Sequence, residues 1–101
     1  MATLDFTINQ DYFPDEVFDQ VVNEIFNMIV DATPVATGFA QSQWTLDIGD
    51  TDARIANDCE YISFLEDGWS DQAPNGMVAP ALDALPDLLD SAMETYSKSI
   101  L

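Results

Sequence analysis

Between residues 14 and 32 the apolar side chains Phe18, Val21, Val22, Ile25, Phe26, Ile29 and Val30 recur at spacings of three and four, with Asp19, Gln20, Glu24 and Asn27 between them. That period gathers the apolar groups on one face and predicts an amphipathic helix. Pro14 suits the first helical position, where a missing N–H costs nothing, and Asp15 and Glu16 complement the positive end of the helix dipole. Pro34 disfavours helical geometry at Thr33 and so ends the segment. A stripe of this length must be covered, and in a chain of 101 residues the cover has to come from one domain spanning residues 1–101.

The remaining segments supply that cover. Leu4, Phe6 and Ile8 alternate with Asp5 and Thr7, the period-2 pattern of a strand with one buried face, available to its own sheet or to a neighbour's. Trp44, Leu46 and Ile48 alternate with Thr45 and Asp47, and a second short strand over 53–57 lies beyond Gly49-Asp50-Thr51-Asp52, whose residues suit a hairpin turn. Tyr61, Ile62, Phe64 and Leu65 fit a short helix within 58–67, with Asn57 or Asp58 as its cap and Gly68 as its stop. Leu85, Leu88, Leu89, Ala92, Met93, Tyr96 and Ile100 carry a helical period to the end of the chain. This last helix either starts near Pro86, with Pro80 opening a short turn before it, or is one long helix kinked at Pro86. The order predicts an α+β fold: a long amino-terminal helix and a carboxy-terminal helix packed on a small antiparallel sheet.

Residues 68–78 read as a loop rich in Gly, Pro, Asn and Asp, long for a domain of this size, and loops of that kind are often functional. They make Trp69, Ser70, Gln72, Ala73, Pro74, Asn75, Gly76, Met77 and Val78 the candidate contact surface. Trp69 either closes the core from outside or anchors a partner, and Met77 and Val78 share that ambiguity. Trp44, on the apolar face of a strand, is expected in the core.

Nineteen acidic residues stand against Arg54 and Lys98, a formal net charge of −17, while 48% of the chain is hydrophobic. The apolar content separates it from disordered acidic tails. Phosphate-backbone binding rests on lysines and arginines that displace counterions, which two cations do not supply. Neutral or basic partners are therefore expected. Three readings of the acidity remain open: a solvated or salt-adapted surface, the negative wall of a conduit that keeps passing DNA from adhering, or a mimic of DNA that occupies a nucleic-acid-binding protein.

Catalytic chemistry finds little to work with. There is no histidine, and Cys59 is the only cysteine, which rules out an internal disulfide, a zinc site or a Cys-His nucleophile. Residues 47–52 bring together Asp47, Asp50 and Asp52 without the spacing or distal glutamate of a calcium loop, and a solvated turn is the better reading. Glu66 and Asp67 are adjacent, so on a helix they do not face each other, and they read as a solvated helix end. No enzyme activity and no cofactor are expected. No apolar run reaches the length of a membrane span, and the amino terminus has no secretory pattern.

Two separated blocks, Pro34 to Trp44 and Tyr61 to Val78, with Asn57 between them, carry a further signal. In order and content they resemble the small neck and tail-completion proteins that join head to tail in long-tailed bacteriophages, with Pro34, Thr37, Gly38, Trp44, Tyr61, Glu66 and Gly68 as the structural residues of the pattern. The resemblance implies a non-enzymatic virion protein, assembled in the host cytoplasm into a homo-oligomeric ring, hexameric in such proteins. That ring would bind other neck, connector or tail proteins and let DNA through its lumen without specific binding. Thr37-Gly38 is the turn from helix to strand, where glycine accepts a positive φ. The alternative, from a different class, is an acidic DNA mimic that inhibits a nucleic-acid-binding host protein.

Overall fold

A computed structural model describes residues 3–35 and 38–100, a body of 47 × 27 × 18 Å. Its elements are β1 (Leu4–Asn9), α1 (Asp15–Ala32), a one-turn α2 (Phe39–Ser42), β2 (Trp44–Ile48), β3 (Asp52–Asn57), a short α3 (Ile62–Glu66) and α4 (Val78–Ser99). The fold is α+β, as the periodicities predict. The sheet is antiparallel in the order β1-β3-β2, so the amino-terminal strand adds to its own sheet and β3 lies at the centre.

The alternation along the strands sets the two faces. Phe6, Ile55 and Leu46 stand opposite one another across the three strands, and with Ile8, Ala53 and Trp44 they meet the helices. Asp5, Thr7, Arg54 and Asp47 are exposed on the other face. The hairpin closes with the Gly49 N–H donating to the Asp52 carbonyl at 2.8 Å, and the Gln10 N–H donates to Thr51 at 2.9 Å.

Helix α1 is the element around which the core forms: Val17, Phe18, Val21, Val22, Ile25 and Ile29 are buried, each contributing roughly 1.5–3 kcal/mol by leaving water. It packs against both β2 and α4. Pro14 sits at the cap position, one residue before the place expected of it, and its carbonyl receives the Phe18 N–H. Helix α4 is less deeply covered. Only Ala81 and Ala92 are buried, with Leu82, Leu85, Leu88, Leu89, Met93 and Tyr96 half-buried against the same core.

Three boundary expectations need correction. Of the two alternatives for the last helix the structure has one long helix: α4 begins eight residues before Pro86 and runs through it, so the other, a start at Pro86 after a separate turn at Pro80, falls. Pro80 falls in its first turn, where an N–H has no intrahelical partner to lose. Asn57 is the last residue of β3 and caps no helix: its Oδ1 accepts from the Cys59 N–H at 2.7 Å, and its Nδ2 donates to the Ala40 carbonyl at 2.9 Å. Asp58 does not cap α3 either, since Tyr61 occupies the cap position without a side-chain bond.

Candidate docking surface

The segment between α3 and α4 folds around one carboxylate. Glu66, the last residue of α3, points its Oε1 at the N–H groups of Met77 and Val78, both 2.9 Å away, and its Oε2 at that of Ala79, 3.1 Å away. A helix leaves its first four N–H groups without intrahelical partners. Here Glu66 accepts from three of them, and the fourth position is Pro80, which has none to offer. Glu66 is thus the cap of α4, supplied from eleven residues upstream, and its negative charge lies at the positive end of the dipole. The expectation of a solvated helix end holds for exposed Asp67 and not for half-buried Glu66.

Two glycines make that geometry possible. Gly68 has φ +90°, and a Cβ there would run into the Pro74 carbonyl. Gly76 has φ +81°, and a Cβ there would run into both the carbonyl and the carboxylate of Glu66. Left-handed backbone and close approach therefore both demand glycine. The intervening residues are tied by the Ala73 N–H to the Ser70 carbonyl (3.1 Å), the Gln72 N–H to Ser70 Oγ (3.2 Å) and the Gly76 N–H to the Ala73 carbonyl (3.0 Å). Gln72 also reaches across to accept from the Val35 N–H at 3.4 Å, joining this segment to the end of α1.

On this frame the aromatic residues face outward. Trp69 is 74% exposed, and its ring lies 4.6 Å from that of Phe64 with a 40° tilt. Phe64 is itself half exposed, and Tyr61, one turn earlier, is exposed, as is Val35. Of the two roles open to Trp69, the structure selects the surface one: its ring does not close the core. Phe64 is the member of this patch that sequence reasoning missed, because its helical spacing from Tyr61 reads as a core stripe.

The other candidate residues separate into two groups. Ser70, Gln72, Pro74 and Asn75 lie at the surface with Trp69. Ala73, Gly76 and Met77 do not: they are buried, Met77 to 1% exposure, and Val78 is the half-buried first residue of α4. These buried residues hold the segment to the core and are withdrawn from the contact surface. Trp44 is in the core as expected, with its Nε1 donating to Thr33 Oγ1 (2.8 Å), whose hydroxyl donates to the Ile29 carbonyl (2.7 Å). Gly38, at φ +73°, caps α2, half-buried Pro34 follows the end of α1, and Thr37 lies outside the described residues.

Both basic residues are engaged. Arg54 donates from Nη2 to Asp5 at 2.6 Å across the outer face of the sheet, and its guanidinium is held above its ordinary pKa, first by that hydrogen bond and then by the Asp5 charge. Lys98 pairs with Glu94 one helical turn away at 3.2 Å. A groove of about 140 Å³ between the start of α1 and the end of α4, lined by Glu16, Val17, Gln20, Ala92, Thr95, Tyr96 and Ser99, is smaller than ordinary small-molecule sites of about 300–1,000 Å³. Among the described residues, no group of three or more Asp, Glu or Cys side chains is placed to hold a metal, and no helix is long and apolar enough to cross a membrane. No family model, curated protein or solved structure matches this chain.

Proposed function

We propose that this chain is a structural virion protein: a subunit of the bacteriophage neck or tail end that forms a ring around the DNA path and docks to other neck or tail proteins. The observation that carries this reading is the Trp69–Phe64 pair, two exposed rings in contact on a frame held by Glu66, Gly68 and Gly76. Other large apolar side chains are exposed too, Tyr12, Ile48 and Ile100 among them, but here two exposed rings pack together on a fixed frame, and contiguous apolar surface of that kind marks docking sites. Tyr61, Glu66 and Gly68, from the second block of the sequence pattern that resembles neck and tail-completion proteins, fall within this unit, while Pro34, Gly38 and Trp44 of the first block lie elsewhere in the fold. The net charge of −17 suits a ring wall that DNA passes without adhering.

The test is to delete the gene from its phage and complement it with wild type and with Trp69→Ala. The proposal expects the protein in purified particles, and it expects filled heads and unattached tails when the protein is absent or Trp69 is lost. Absence from particles together with normal assembly overturns it, and binding to a basic host nuclease or regulator would favour the acidic mimic instead.

A further inference from the structure

We propose that the Trp69 face takes an arginine-bearing basic segment of a different protein, and not a second copy of this chain. The inference rests on the docking role proposed for that face and names its partner's chemistry. The rings of Trp69, Phe64 and Tyr61 are exposed, and the exposed carboxylates Glu60, Asp67 and Asp71 are their neighbours along the chain. No lysine or arginine lies in this segment.

Exposed aromatic rings with exposed carboxylates close by in the chain suit a guanidinium. It stacks flat on a ring while its fork of N–H groups reaches the acids, a geometry that a lysine ammonium matches less well. A second copy is a poor occupant. It would bring another charge of −17, and its only cations, Arg54 and Lys98, are already bound to Asp5 and Glu94. The frame is also fixed in advance by the Glu66 bonds and the Gly68 and Gly76 turns, so little ordering cost falls on binding.

The experiment uses the full chain and three short peptides of equal length, alternating Gly and Ser with Arg, Lys or Glu, titrated by calorimetry at about 0.15 M salt. The arginine peptide should bind best, the lysine peptide several-fold more weakly and the glutamate peptide not at all. Trp69→Ala should weaken arginine-peptide binding by about tenfold, as loss of an interface aromatic does. Asp67→Asn with Asp71→Asn should weaken it more than Asp87→Asn with Asp90→Asn, which removes the same charge from exposed positions on α4. Trp69→Lys is the second variant, expected to lose more than Trp69→Ala, and melting curves confirm that each variant is folded.

Equal binding by wild type and both Trp69 variants, or equal losses from the two acid pairs, overturns the inference, because the peptide is then held only by net charge. So does a wild-type oligomer in sedimentation that Trp69→Ala dissolves, since the face would then be a self-contact. If Trp69→Ala blocks phage assembly but leaves peptide binding unchanged, the docking role stands and the basic partner falls. If peptide binding fails as expected in the variants but phage assembly is normal, the virion reading falls alone.

Discussion

Replacing Glu66 tests whether a single carboxylate holds the junction between α3 and α4. Three N–H groups lose their acceptor in Glu66→Ala. The bond to Ala79 is exposed, and water takes its place at little cost. Those to Met77 and Val78 are partly buried, and with a charged acceptor each contributes about 1–1.5 kcal/mol, near the low end for charge-assisted bonds. Loss of a negative charge at the helix start adds about 0.3–1 kcal/mol. The total is about 3 kcal/mol, a large fraction of the 5–15 kcal/mol that stabilises a typical domain.

Glu66→Gln separates these contributions. It keeps one oxygen for Met77 and Val78, loses the charge and turns an amide N–H₂ toward the Ala79 N–H, so its expected cost is about 1 kcal/mol. At roughly 4–8 °C per kcal/mol for a domain near this size, Glu66→Ala should lower Tm by about 12–25 °C and Glu66→Gln by about 4–8 °C. Urea denaturation measures both, and amide exchange at residues 77–79 should quicken in Glu66→Ala before global unfolding. A Glu66→Ala protein within about 0.5 kcal/mol of wild type, the range of an ordinary surface change, would refute the cap. So would an equal loss in Glu66→Gln and Glu66→Ala.

Gly76→Ala should cost about 2–4 kcal/mol, since a Cβ meets the Glu66 carbonyl as well as adopting left-handed backbone, whereas Gly38→Ala, with nothing within 4 Å of its Cβ, should cost only the backbone strain of about 1–2 kcal/mol; denaturation of the two variants side by side checks the difference. Trp44→Ala should lose about 3–5 kcal/mol, because a buried ring and the partner of Thr33 disappear together, while Trp69→Ala should stay within about 1 kcal/mol, the scale of its contact with Phe64. Tm should rise as monovalent salt goes from low to about 0.5 M, since screening weakens repulsion among the excess carboxylates; a flat or falling Tm counts against that account. The protein should shift duplex DNA in a gel no more than a neutral control at physiological salt, and a clear shift would contradict the electrostatic argument.

The elements legible from the sequence are those whose signals are local. Phe18 to Val30 repeat with the helical period and Leu4 to Ile8 with the strand period, so α1 and β1 follow from spacing alone. The start of α4 is illegible for a definite reason. Sequence reading looks for a Ser, Thr, Asp or Asn immediately before the first turn, and Met77 stands there, while the real acceptor is Glu66, beyond the reach of any local capping pattern. With no cap in view, a start near Pro86 and one long helix through it stay equally open. Ala73 and Met77 were hidden by the same cause: a polar, glycine-rich stretch reads as exposed until the Glu66 bonds draw its end back onto the core. Trp69 was undecidable because burial of an aromatic in a loop depends on which way the chain turns at Gly68, and spacing carries no such information.

The placement of the carboxylates bears on how such an acidic chain folds at all. Asp5 and Glu94 balance the two cations, Asp15 accepts from Gln10 at 2.6 Å, and Glu66 caps α4. Glu66 and Asp5 join parts of the chain distant in sequence; the Asp15 and Glu94 contacts are local. Apolar burial around α1 supplies the main driving force, and most of the acidity adds repulsion to it rather than structure. The same repulsion opposes bringing identical subunits together, so the ring proposed above should assemble only with salt or with basic neighbours seated between subunits, and lowering ionic strength should dissociate such a ring before it unfolds the subunit.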